Sequence, residues 1–116
     1  MRPDEDFLAD ILNNTELIMR FVAGITIEEF HQDEMRKLAV EKGIERIGEA
    51  MKNISEDIRK RYPNVDWSGY PRMRDRTTHG YWSVDYNIIW DTATHEIPDL
   101  RKQVMQILKQ EFGAHH

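Results

Sequence analysis

Cysteine is absent from the 116-residue sequence, and its absence excludes both disulfides and metal sites built from thiolates. A chain without cysteine suits a reducing compartment, so we expect a cytoplasmic protein. No apolar run approaches the roughly 20 residues that a membrane-spanning helix requires. The first twenty residues are too acidic and too interrupted for a signal peptide. These absences predict a small protein without a membrane partner.

The sequence also lacks the positive net charge of a protein that attracts nucleic acid with its whole surface, because its formal net charge is −5. The charge is unevenly distributed, however. Residues 59–76 contain six basic residues and only two acidic ones. Such a basic patch on an acidic body can hold a phosphate backbone, although charge clusters are more commonly solvated surface without a partner. The charge pattern alone leaves both interpretations open.

Strand-like alternation of useful length is missing too, whereas helical periodicity runs through most of the chain. Apolar residues at three- and four-residue spacings predict a first helix over residues 4–23. A capping box at Thr26 opens a short second helix. The next apolar series predicts one long helix from Asp33 or Glu34 as far as Tyr62, where the following proline stops it.

Gly48 stands in the middle of this long helix. A glycine there lets a neighbouring helix approach closely, or it is a tolerated surface residue. The sequence leaves both interpretations open.

The second half of the chain is also helical in pattern. A short helix is expected to end at His79, and a last helix starts at Asp85 with an interruption near Pro98. Together the elements predict an all-α bundle of four main helices with one or two short extra helices. We expect a single domain over residues 1–112 and a flexible tail over residues 113–116.

Arginine and histidine stand close together in the stretch Met-Arg-Asp-Arg-Thr-Thr-His-Gly-Tyr, residues 73–81. Such a pair suits metal-free cleavage of RNA, in which His79 moves a proton and Arg74 or Arg72 stabilises the charge that builds on phosphorus. Asp75, one turn before His79, and the C-terminal end of the helix would favour a charged imidazole. So short a motif is nevertheless more commonly just a histidine that ends a helix, next to arginines on the protein surface.

The spacing within this motif limits how it can work. On an ideal helix Arg74 and His79 are about 140° apart around the axis, so they do not share a face. Arg72 and Arg76 are better aligned with His79 and are candidate ligands for RNA phosphates. Arg74 and His79 can act together only if the helix end is distorted or if two chains contribute to one site.

A longer series of residues follows a recognisable order: an arginine and a polar residue, three further positions, His-Gly-Tyr, Val-Asp, Ile-Trp, and a proline-containing last helix. The matching residues are Arg74, Asp75, His79, Gly80, Tyr81, Val84, Asp85, Ile89, Trp90 and Pro98. Residues 10–12, 47–50 and 61–63 fit as well. This series resembles the signature of the HepT-like branch of the HEPN superfamily, the toxin half of bacterial and archaeal toxin–antitoxin pairs of a type VII-like kind.

The resemblance implies a helical homodimer in which the two Arg-x4-His motifs face each other across a cleft. It implies a metal-independent endoribonuclease without a cofactor, with Arg74 and His79 as catalytic residues and Asp75 as the supporting polar residue. Tyr81 matches the tyrosine to which the partner, a minimal nucleotidyltransferase antitoxin, adds AMP. The added phosphate and base would repel RNA and block the cleft sterically.

Several positions depart from the family pattern. Asp75 replaces a more usual asparagine and adds a negative charge near the site. Thr77 and Thr78 stand where aliphatic residues are usual. Pro71 lies where the family helix normally continues, so the active helix is expected to begin at Pro71 or to kink there.

Two other functions compete with that of an RNA-cleaving toxin. A non-catalytic helical dimer would bind a nucleotide or a protein partner, with Arg74, Arg76 and His79 holding phosphate but not cutting, and the low overall basicity fits it. A plain interaction bundle would leave these side chains merely solvated. A metal enzyme is disfavoured, because His–carboxylate pairs such as His31 with Asp33 lack a third ligand at a sequence spacing typical of metal sites.

Overall fold

The computed structural model describes the backbone of residues 3–79 and 84–113, and the side chains of residues 3–75 and 84–113. Its helices, in chain order, are α1 (Asp4–Val22), α2 (Ile27–Gln32), α3 (Glu34–Lys52), α4 (Glu56–Arg61), α5 (Gly69–His79), α6 (Tyr86–Asp91) and α7 (Ile97–Phe112). A π-helical turn, Thr92–Glu96, joins α6 directly to α7. No strand occurs within these ranges, and the predicted all-α fold is confirmed.

Four long helical segments build the bundle: α1, α3, α5, and the continuous run from α6 through the π turn to α7. α3 packs against both α1 and α5, and α1 packs against α7. α2 and α4 are short extra helices of six residues each. The arrangement is the predicted one of four main helices with two short extras.

The interior of the bundle is almost entirely aliphatic. Each such side chain contributes about 1.5–3 kcal/mol through burial, and this contribution holds the helices together without disulfides. Two buried polar residues of α1, Asn14 and Thr15, donate hydrogen bonds to the backbone carbonyls of Asp10 and Leu12, at 2.8 and 2.6 Å. The largest fully buried side chains are Phe30, Leu8, Ile11, Ile18, Ile44, Ile47, Met51, Ile58, Ile89, Ile97, Ile107 and Leu108.

The long helix predicted from Asp33 or Glu34 to Tyr62 is divided in two, so that prediction was wrong. α3 ends at Lys52, and α4 begins at Glu56. The apolar spacing continues across the break, which is why the pattern did not show it.

Ser55 produces this break through two sets of hydrogen bonds. Its hydroxyl oxygen accepts a bond from the backbone N–H of Ile58 at 3.3 Å and so caps the start of α4. Its own backbone N–H and hydroxyl donate to the two carboxylate oxygens of Asp4, at 2.9 and 2.6 Å. The start of α1 therefore holds Ser55 in an extended conformation that a continuous helix does not allow.

α5, which carries the Arg-His motif, begins two residues before Pro71 and continues past it to His79. Pro71 lies in the first turn, where a missing N–H costs nothing, so the helix does not begin at Pro71 as the sequence had suggested. The carboxylate of Asp66 accepts a hydrogen bond from the backbone N–H of Gly69 at 2.9 Å and caps this end. The helix continues through His79, the last residue of this segment that the structure describes.

The interruption expected near Pro98 takes the form of the π turn directly before α7. The backbone N–H of Ile97 donates to the carbonyl of Thr92, five residues earlier. Pro98 follows within the first turn of α7, where it needs no hydrogen-bond partner for its nitrogen. No helix in the described ranges is both long enough and apolar enough to cross a membrane.

Candidate active site

Five of the predicted site residues, Arg72, Arg74, Asp75, Arg76 and His79, lie on α5, which packs along α3. The structure describes three of them completely: Arg72, Arg74 and Asp75. For Arg76 and His79, and for Thr77 and Thr78 between them, it describes the helical backbone only. Tyr81 lies outside the described residues.

α5 comes very close to α3 at Gly48. A Cβ atom built on Gly48 would lie 2.6 Å from the backbone oxygen of Tyr70 and 2.7 Å from the Cβ of Arg74, distances that real Cβ atoms essentially never show. Gly48 is buried, so it is not a tolerated surface glycine. Tyr70 is buried at the same contact, and burial raises the pKa of its phenol well above the usual range. The glycine thus lets α3 touch the backbone segment from which Arg74 projects.

The guanidinium of Arg74 lies between two carboxylates. Its Nη2 is 3.1 Å from Oε2 of Glu49 on α3, and its Nη1 is 3.1 Å from Oδ1 of Asp75. The Arg74 side chain is 26% exposed, so the two pairs are partly shielded while part of the guanidinium reaches solvent. Contacts on two different nitrogens restrict both the position and the plane of the group.

Asp75 is shared between Arg74 and Lys52. Nζ of Lys52 donates to Oδ1 of Asp75 at 2.7 Å, and the same oxygen accepts the bond from Arg74. The hydrogen bond from Lys52, and then the one from Arg74, hold the pKa of Asp75 below its usual value, so this carboxyl is ionised at neutral pH. The sequence suggested that Asp75 acts on His79; its described contacts are with Lys52 and Arg74.

Arg72 occupies a different environment from Arg74. It is exposed, and it forms no ion pair with the side chains of residues 3–75 or 84–113. An exposed arginine of this kind can follow a mobile phosphate, whereas Arg74 presents its charge from a fixed position.

The backbone of α5 bears on how Arg74 and His79 are related. The helix is α-helical through His79, so these two positions are about 140° apart around its axis. The described backbone thus contains no distortion that would bring them onto one face.

Glu49 and Lys52 are site residues that sequence reasoning missed. Their roles depend on the packing of α3 against α5, which joins residues more than twenty positions apart in the chain. The one available signal was that Glu49 follows Gly48 in the segment 47–50, which fitted the family signature.

The described side chains include no group of three histidine, aspartate or glutamate residues that could hold a metal ion. His31, which stands two positions before Asp33 in the sequence, forms a hydrogen bond of 2.8 Å between its Nε2 and Oδ1 of Asn87. His95 similarly lies 3.1 Å from the hydroxyl of Thr94. Both histidines therefore have ordinary structural partners.

Comparison with known proteins identifies clear relatives. Residues 11–107 match the family model described as "Ribonuclease HepT-like". The chain is 41% identical over 107 residues to "Putative RNase MJ0127" of Methanocaldococcus jannaschii, covering 92% of this chain and 88% of that protein. It is 39% identical over 111 residues to "Putative RNase TTE0752" of Caldanaerobacter subterraneus subsp. tengcongensis, covering 96% and 99%.

A third relative, "Probable ribonuclease HepT" of Thermococcus cleftensis, is 37% identical over 108 residues, covering 93% of this chain and 98% of that protein. No solved structure matches the chain. Each of these matches covers most of this chain and most of the related protein.

Proposed function

The chain belongs to the HepT-like ribonuclease family and is an endoribonuclease, and we propose that it is the toxin of a toxin–antitoxin pair. In this proposal the toxin itself cuts RNA, and it does so without a metal ion. Arg74 and His79 would be its catalytic residues, at the cleft of a homodimer. The observation that carries the proposal is the family match over residues 11–107, which includes both motif positions.

The reaction we propose is transfer of the phosphodiester to the neighbouring 2′-oxygen. His79 of one chain takes the proton from the 2′-hydroxyl, and the oxygen attacks phosphorus. The bond to the 5′-oxygen breaks, and this oxygen receives the proton that the same His79 now carries. The products are a 2′,3′-cyclic phosphate and a free 5′-hydroxyl. Arg74 stabilises the extra negative charge on the non-bridging oxygens during the transfer.

The homodimer in this proposal is supported by the geometry of α5. Positions 74 and 79 lie about 140° apart around the axis of one helix, which favours a site that takes its arginine and its histidine from two chains. A two-fold axis between two α5 helices would place the arginine of one chain beside the histidine of the other. Arg72 and Arg76 would hold neighbouring phosphates of the RNA strand.

Regulation in this proposal acts through Tyr81, two residues after His79. A minimal nucleotidyltransferase antitoxin would add AMP to the phenol oxygen. The modification brings a negative phosphate and a bulky base close to the catalytic histidine, so it would repel the RNA backbone and fill the space it needs.

Cleavage of a labelled RNA in excess EDTA tests the metal-independent reaction. We expect the unmodified protein to cut at an undiminished rate and to leave 2′,3′-cyclic phosphate ends, because histidine and arginine need no metal for this chemistry. Cleavage that stops in EDTA and returns with Mg²⁺ would contradict the proposal.

The same assay needs a check on Tyr81. Mass spectrometry should show that the protein used carries no AMP, and protein that does carry AMP on Tyr81 is expected not to cut. The Tyr81→Phe variant should cut but resist modification. Unmodified wild-type protein that binds RNA without cutting it would favour the non-catalytic binding protein instead.

A further inference from the structure

The surroundings of Arg74 contain more negative charge than a phosphate-binding site tolerates by itself. Two carboxylates, those of Glu49 and Asp75, lie 3.1 Å from its guanidinium. One positive charge beside two negative charges would repel an approaching phosphate at short range. Lys52, 2.7 Å from Asp75, brings the cluster of four side chains back to neutrality.

We propose that Glu49 and Lys52 of α3 are positioning residues for Arg74, with Glu49 fixing the plane of the guanidinium and Lys52 neutralising Asp75 so that Arg74 keeps its attraction for RNA phosphate. This inference rests on the proposed role of Arg74 in cleavage. Neither residue takes part in bond breaking or proton transfer. They act on the substrate through the position of the Arg74 guanidinium and the net charge of the cluster around it.

The geometry of the cluster fits this division of roles. Glu49 approaches Arg74 from α3 and Asp75 approaches it from α5, so that two nitrogens of the guanidinium are held from two helices. Gly48, next to Glu49, sets the distance between these helices at the Cβ of Arg74. The position of the guanidinium is therefore tied to the packing of α3 against α5.

The exposure of these side chains makes the proposal testable without unfolding the protein. The side chains of Glu49, Lys52 and Asp75 are 56%, 38% and 42% exposed. Ion pairs this exposed add little to stability, because water and salt screen them. Substitutions at Glu49 and Lys52 should thus leave the fold intact, and circular dichroism during heating can check that they do.

The experiment measures KM and kcat of RNA cleavage for paired variants. Lys52→Met is expected to raise KM about fivefold with kcat changed less than about twofold, because the Asp75 charge is then uncompensated. Lys52→Arg restores the charge and should return KM to the wild-type value. Glu49→Gln should lower KM, because one negative charge is lost while the amide oxygen still accepts from Arg74.

Glu49→Ala separates orientation from charge. It removes the acceptor as well as the charge, so one side of the guanidinium is no longer held, and kcat is expected to fall about tenfold. Glu49→Gln should not show this loss. If the substitutions merely damaged the contact between α3 and α5, activity would fall in both Glu49→Ala and Glu49→Gln. KM would then not shift in opposite directions at positions 49 and 52.

Matched controls come from the ion pair between α7 and α1, in which Nε of Arg101 is 3.2 Å from Oε2 of Glu16. Arg101→Met and Glu16→Gln make the same changes of charge away from Arg74. We expect both to keep KM and kcat within about twofold of wild type, because neither residue contacts the cluster.

Arg74→Ala, measured beside these variants, separates the two proposals. If it leaves cleavage unchanged, the proposed function fails and the positioning role with it. If it abolishes cleavage while the Glu49 and Lys52 variants behave like the Arg101 and Glu16 controls, only the positioning role is overturned. Opposite shifts of KM at Lys52 and Glu49, with rescue by Lys52→Arg, would confirm it.

Discussion

Replacing His79 by alanine is expected to slow RNA cleavage by about 10³-fold while the protein stays folded and dimeric. The substitution removes the group that we propose accepts and donates protons during the transfer, a contribution typically worth about 10²–10⁴-fold. Water can replace it only poorly. The rate is measured with labelled RNA under single-turnover conditions, and light scattering on the same sample reports the dimer.

Arg74→Ala should produce a loss of similar size, because the charge that builds on phosphorus loses its fixed counter-charge. Arg74→Lys is expected to recover only part of the rate, since an ammonium group cannot contact Glu49 and Asp75 with two nitrogens at once. Arg72→Ala is the matched control on the same helix. It should weaken RNA binding a few-fold and leave the single-turnover rate at saturating enzyme nearly unchanged.

The comparison of Arg74→Ala with Arg72→Ala decides which arginine works in catalysis. The sequence could not separate Arg72 from Arg74 by geometry, and only the family resemblance favoured Arg74. A loss at Arg72→Ala as large as at Arg74→Ala would show that the catalytic arginine has been assigned to the wrong position. Full activity of His79→Ala would remove the histidine from the mechanism altogether.

Substituting Gly48 by alanine is expected to destabilise the protein by about 2 kcal/mol and to slow cleavage by about 10- to 100-fold. The new Cβ would lie 2.6 Å from the backbone oxygen of Tyr70 and 2.7 Å from the Cβ of Arg74. Backbone cannot rotate away as a flexible side chain can, so α5 must shift relative to α3. The shift would move Arg74 away from Glu49.

Gly43 of the same helix provides the control for this substitution. A Cβ on Gly43 would meet only the Cγ1 and Cδ1 atoms of the Ile18 side chain, at 2.7 and 2.9 Å. The Ile18 side chain can partly adjust, and alanine is the better helix former by about 1 kcal/mol, so the net loss should stay below about 1 kcal/mol. α5 does not move, so cleavage should be close to wild type. Urea unfolding and the cleavage assay measure both effects, and equal behaviour of the two variants would contradict this account of Gly48.

Much of the fold could be predicted from local features of the sequence. The capping box at Thr26 is present as expected, with the hydroxyl accepting from the N–H of Glu29 at 3.1 Å and the Glu29 carboxylate accepting from the N–H of Thr26 at 2.9 Å. The end of α1 ahead of Gly24 also followed from neighbouring residues. Signals of this kind act within one turn of helix, so the sequence alone reveals them.

The missed features depend on contacts between distant residues. Ser55 followed by Glu56 and Asp57 is a helix-start pattern, but the apolar series through Ile54 and Ile58 concealed it, and the deciding contact comes from Asp4. Glu49 and Lys52 join the site only because α5 folds back onto α3. Periodicity shows which face of a helix is apolar, and it does not show which helix will cover the polar residues beside that face.

The central claim is that Arg74 of one chain works beside His79 of the other, and mixed dimers test it most directly. Arg74→Ala and His79→Ala proteins, each inactive alone, are unfolded together, refolded as a mixture, and assayed for RNA cleavage. If the site is shared between chains, half of the dimers contain one intact site, and activity should return to about a quarter of wild type. If each chain builds its own site, every site in every dimer lacks one residue, the mixture stays inactive, and the claim is contradicted.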